Sequence, residues 1–167
     1  MRLSRHARRT GVVAATAAFL VAGLATTPSF AADPPGNNGT IKIDSKPFDD
    51  APNNEPHVGC RFQVDFYGYD LGDYNATVTF SVQPPSGKFD VVETDSVFVG
   101  EDAAGGGTDL DASRAYSLSP VLGGYAVNPQ QGFHIKVEVN APFSIGADKK
   151  SKVFWVQSCV SSGGGDS

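Results

Sequence analysis

The stretch His57-Val-Gly-Cys-Arg-Phe-Gln-Val-Asp-Phe-Tyr-Gly-Tyr-Asp70 gathers a histidine, a cysteine and two aspartates within fourteen residues. Two chemistries compete for it. With the distant Cys159, His57 and Cys60 would supply three zinc ligands. Cysteine-based zinc sites usually bring a second close pair, however, and "QSCVSS" gives Cys159 no neighbouring ligand. A disulfide between Cys60 and Cys159 is the stronger expectation in an exported chain, where thiols oxidise. His57 then reads as a strand-entry residue bonded to backbone, and no metal ligand or cofactor is assigned.

Nucleophilic catalysis needs a base within reach of an activated serine, threonine or cysteine. Only His57 and His134 lie outside the first thirty-one residues, and His134 falls on the polar side of an alternating run. There is no G-x-S-x-G elbow and no H-E-x-x-H pair, so no catalytic residue is selected and the expected protein is not an enzyme. Two acidic loops offer hard oxygen ligands for calcium: "DLGDYN", with Asp70 and Asp73, and "GEDAAGGGTDLDAS", with Glu101, Asp102, Asp109 and Asp111. Neither matches the twelve-residue calcium loop pattern. Tyr67, Tyr69 and Tyr74 form a candidate ligand surface for sugars or a protein, with Tyr67 and Tyr69 expected to face outward beside Asp65.

The elements that would carry these residues are strands. Cys60, Phe62, Val64 and Phe66 alternate with Arg61, Gln63, Asp65 and Tyr67, so one face reads as core, Cys60 included. "GTIKID" repeats this with Ile41 and Ile43, "NATVTFSV" with Val78, Phe80 and Val82, and "GFHIKVEVN" with Phe133, Ile135, Val137 and Val139. "FDVVETDSVFVG" is β-prone throughout. "SKVFWVQSC" is apolar on both sides and reads as a central strand buried on both faces, with the lysines of "KKSK" in the loop before it. "EDAAGGGTDLDAS" reads as loop, and "RAYSLSPVLGGYAVNPQQ" as a short strand at 115–118 with a helical turn after Pro120. The sum is six to eight short strands and no 3.6-residue periodicity. An all-β, antiparallel, immunoglobulin-like β-sandwich with one disulfide is expected.

Residues 1–31 have the basic start, the apolar run "GVVAATAAFLVAGLA" and the small residues of a signal peptide cut after Ala31. That run has fifteen residues, against roughly 20 for a membrane span, so no span is expected after cleavage. Residues 32–38 read as a flexible leader, 39–160 as the sandwich domain and 161–167 as a flexible Gly/Ser tail. Cleavage would remove four arginines, leaving 9 basic residues against 18 acidic, a net charge of −9. Such a chain repels phosphate backbones and anionic lipid, so nucleic acid is not an expected partner.

Taken together, "NEPHVGCRFQVDFYGYD", "TVTFSVQPPSG", "GEDAAGGGTDLDASRAYSL", "PQQGFHIKVEVNAP" and "KSKVFWVQSC" resemble a family of uncharacterised secreted or cell-envelope β-sandwich proteins of actinobacteria. The resemblance covers about residues 39–160. It implies export and a small β domain; many members continue through a Gly or Ser-rich tail to a cell-wall sorting signal, whereas this sequence reads "SSGGGDS" there. It implies no catalytic residues. The expected protein is a monomeric, non-enzymatic extracellular module with a binding or structural role at the cell envelope, its ligand a protein or glycan. The alternative is a calcium- or carbohydrate-binding extracellular module.

Overall fold

The structure is a computed structural model in which residues 39–49, 53–103, 105, 107–143 and 149–157 are described. In chain order these residues form β1 (Thr40–Ser45), β2 (His57–Val58), β3 (Phe62–Tyr67), β4 (Asn75–Val82), β5 (Asp90–Phe98), β6 (Leu110–Tyr116), a single helical turn α1 (Ser119–Leu122), β7 (Phe133–Asn140) and β8 (Lys149–Val156). The fold is all-β. One sheet has the order β1-β3-β6 and the other the order β2-β8-β7-β4-β5. Every pairing is antiparallel except the two-residue contact of β2 with β8. Among the described residues no helix is long and apolar enough to cross a membrane.

The period-two pattern explains the sandwich. Ile41, Ile43, Phe62, Val64 and Phe66 from the smaller sheet meet Ala76, Val78, Phe80, Val82, Ile135, Val137, Val139, Phe154 and Val156 from the larger in one buried cluster. Phe62 is its hinge point: its ring is fully buried and packs edge-on against Phe80 at 5.8 Å and Phe154 at 5.1 Å, and lies 6.1 Å from Tyr116. Leu118 and Leu122, from the turn around α1, add to the same cluster. At the edge where β5 meets β6, Asp95 Oδ2 accepts from Arg114 Nε at 2.9 Å and from the Tyr116 hydroxyl at 3.2 Å, a polar clasp between the two sheets.

Several expectations need correcting. β8 sits between β2 and β7 as a central strand should, but only one of its faces is buried: Phe154 and Val156 enter the core, while Val153 is 50% exposed and Trp155 half-buried on the outside. A central place in the hydrogen-bonded ladder does not bring a second layer onto the outer face. Lys149, Lys150 and Lys152 belong to β8 itself, and Lys149 reaches Glu138 on β7 at 2.9 Å. β6 starts at Leu110, inside the stretch whose Gly and Asp content suggested a loop, because pairing with β3 overrides weak local β-propensity. Cys60 precedes β3 and is half-buried outside the core cluster; Cys159 lies outside the described residues.

Candidate functional site

The β3–β4, β5–β6 and β7–β8 connections gather at one end of the sandwich, since Asn75 pairs with Phe98 and Asn140 with Lys149. Backbone bonds knit the first two together: Gly68 N donates to Asp109 O at 2.9 Å and Gly72 N to Gly100 O at 3.1 Å. Most of the acidic residues of the two sequence loops are found here.

The tyrosines do not make an open platform. Tyr67 and Tyr69 are each 1% exposed and Tyr74 is 9% exposed. The alternation that turned Tyr67 away from Phe66 is real, since Tyr67 lies outside the core cluster, but that face is covered. Asp65, also expected in solvent, is buried and accepts from Gln63 Nε2 at 2.8 Å and Ser113 Oγ at 2.6 Å. Tyr69 lies beyond the end of β3, so strand alternation no longer governs it. Its ring covers Gly39, where a Cβ would come within 2.4 Å of it, and packs near Phe66. Tyr74 turns inward and donates its hydroxyl to Asp70 O.

Two features occupy this end. The first is a shallow depression of about 400 Å³ lined by Asp70, Leu71, Gly72, Asp73, Tyr74 and Phe143, within the range of roughly 300–1,000 Å³ usual for small-ligand sites. Leu71 is 65% and Phe143 78% exposed. Phe143 stands edge-on to Tyr74 at 6.1 Å, and its backbone has φ +66°. A bulky residue in that left-handed region costs about 1–2 kcal/mol. Sequence reasoning singled out neither Leu71 nor Phe143; an apolar residue in a loop such as "NAPFSIG" carries no pattern of its own.

The second feature is a group of carboxylates. One oxygen from each of Asp102, Asp109 and Asp111 falls within 4.8 Å of the others. Among the described residues no such group includes Asp70 or Asp73, so only one of the two acidic loops converges. Asp111 is brought in by a β-bulge: Phe66 pairs with Ala112 and Tyr67 with Leu110, leaving Asp111 as the extra residue. Its side chain is 4% exposed and its Oδ2 accepts from Tyr69 N at 2.9 Å. Burial pushes its carboxyl above the ordinary aspartate value; the Tyr69 amide opposes this, and the charges of Asp109 and Asp102 add to it. Asp109 Oδ2 accepts from Gly105 N at 2.8 Å.

The histidines stand elsewhere. His134 is not a freely solvated side chain: its ring stacks on Trp155 at 4.4 Å and its Nδ1 lies 2.6 Å from Pro84 O. His57 is exposed at the start of β2, across from Trp155.

Buried phenols make alkaline stability a measurable consequence. Burial raises the Tyr69 hydroxyl above its ordinary value of 10.0, helped by the Asp111 charge, and burial raises Tyr116 likewise, helped by Asp95. Above about pH 10 the unfolded chain loses these protons while the folded chain keeps them, so stability is intact below that pH and falls as pH rises past it. The urea midpoint should drop between pH 9 and pH 11, and drop less in Tyr116→Phe; equal midpoints at both pH values would count against the burial. No protein-family model matches the chain, and neither a curated protein nor a solved structure matches it.

Proposed function

We propose that the chain is an exported, non-enzymatic, immunoglobulin-like module that binds a protein or glycan component of the cell envelope through the loop end carrying Leu71 and Phe143. The observation that carries this reading is Phe143, an exposed aromatic held in a costly backbone conformation where its ring borders a ligand-sized depression. Strain retained at a surface position that buries little is a pointer to contact with something else. The immunoglobulin-like wiring is supported by the strand orders: β1-β3-β6 corresponds to A-B-E, and β8-β7-β4-β5 to G-F-C-C′. By that correspondence Leu71 lies in the B–C loop and Phe143 in the F–G loop, the end that antibody variable domains use.

Export rests on the leader at 1–31. A Cys60–Cys159 bridge fits an oxidising destination and is supported by two observations: Cys60 is not a free thiol, and Gln157 N donates to Val58 O at 2.9 Å, holding the end of β8 beside the approach to Cys60.

Sedimentation with isolated envelopes of the producing cells tests the binding role. Saturable co-sedimentation of the mature chain is expected, weakened at least about tenfold by Phe143→Asp together with Leu71→Asp; a truncated anchor side chain costs upwards of 1–2 kcal/mol. Phe89→Asp is the control, because Phe89 is 67% exposed and also has positive φ but follows β4 at the opposite end. Absence of saturable binding, or its loss in Phe89→Asp instead, overturns the assignment.

A further inference from the structure

We propose that Asp102, Asp109 and Asp111 hold a calcium ion at the start of β6. This site is distinct from the Leu71–Phe143 depression and does not depend on the envelope-binding reading.

Three observations converge on it. Oxygens from the three carboxylates lie within 4.8 Å of one another. Calcium takes oxygen ligands at about 2.3–2.6 Å, so ligand oxygens on one ion are separated by up to about twice that. Asp111 is buried, and its Oδ1 has no hydrogen-bond partner among the described residues even though Oδ2 is used by Tyr69 N. A carboxylate oxygen withdrawn from water without a donor is costly, and the sandwich imposes that cost by making Asp111 a bulge residue. A cation between the three groups supplies the missing partner and cancels the mutual repulsion. Finally, the Gly105 amide fixes Asp109 by bonding to Oδ2.

The donor set selects the ion. All three side chains offer hard carboxylate oxygens, which suits calcium or magnesium rather than zinc or copper. Three acids drawn from one loop and one strand start leave the remaining positions to water and loop carbonyls, and calcium accepts such irregular coordination more readily than magnesium does. Extracellular modules of this kind bind calcium at about 10⁻⁴–10⁻³ M.

Titration calorimetry of the calcium-free mature chain with CaCl₂ should give one site in that range. Thermal unfolding in 10 mM CaCl₂ should sit about 5 °C above that in EDTA. Asp102→Asn and Asp109→Asn should each weaken calcium at least about tenfold, while Asp73→Asn, in the other acidic loop, should leave it unchanged. Asp102 is exposed, so its variant tests the site even if an Asp111 variant fails to fold. No calcium heat and no thermal shift at 10 mM overturns the proposal. Unchanged affinity in both Asp102→Asn and Asp109→Asn overturns it as well, and a magnesium shift as large as that of calcium overturns the choice of ion.

Discussion

Phe62→Ala should lower the unfolding free energy by about 3–5 kcal/mol, the range for deleting a fully buried phenylalanine. The reason lies in its position. Its ring contacts Phe80 and Phe154 on the opposite sheet as well as Tyr116, so truncation opens a cavity between layers rather than at an edge. Neighbours on paired strands have little freedom to collapse into that space, which puts the cost in the upper part of the range. Natural domains hold only about 5–15 kcal/mol in total, so the loss is a large share of what keeps the chain folded. Urea unfolding followed by the fluorescence of Trp155, the single tryptophan, measures it directly. Val91→Ala is the companion control: Val91 is 62% exposed, and its loss should stay within about 0.5 kcal/mol. A Phe62→Ala midpoint close to wild type would mean that the two sheets do not share this core.

The second large effect should come from Cys60→Ser. Closing a loop of about 100 residues is worth up to about 4.7 kcal/mol in the chain-entropy model, and measured values are typically 2–4 kcal/mol. The proposed bridge to Cys159 spans 99 positions of sequence, so removal should cost at least about 2 kcal/mol. The chain purified under oxidising conditions should gain two hydrogens on reduction, read by intact mass, and its urea midpoint should fall in reductant to match that of the variant. Two free thiols in that oxidised preparation would defeat the pairing. Loss of the bridge with an unchanged midpoint would instead assign it no part in stability.

The layout of the core was written in the alternation of the chain. Ile41 and Ile43, then Phe62, Val64 and Phe66, then Val78, Phe80 and Val82, and finally Ile135, Val137 and Val139 face inward as their spacing requires, because a strand has only two faces and a core claims one of them. Alternation is silent on whether the other face is covered. Tyr67 and Asp65 fall on the outward face by alternation and are nonetheless buried, whereas Val153 and Trp155, apolar like their core neighbours, border solvent. Sequence alternation assigns a side to each residue, and the neighbouring layers decide what lies on that side.

The candidate sites divide in the same way. Asp102, Asp109 and Asp111 were legible as possible hard ligands from composition alone, and so were Asp70 and Asp73. Only the bulge opposite Tyr67 and the bond from Tyr69 distinguish the converging group from the dispersed one, and both depend on β6 pairing with β3 across more than forty residues of chain. Leu71 and Phe143 come from loops on different pairs of strands and meet at one depression, a meeting that no local pattern encodes. By itself the sequence determined the strand character, the inward rows and the acidic balance, because these follow from side-chain period and charge. Tertiary structure alone decided which tyrosines are hidden, which acids converge and which apolar residues stand exposed, because these depend on contacts between segments far apart in the chain.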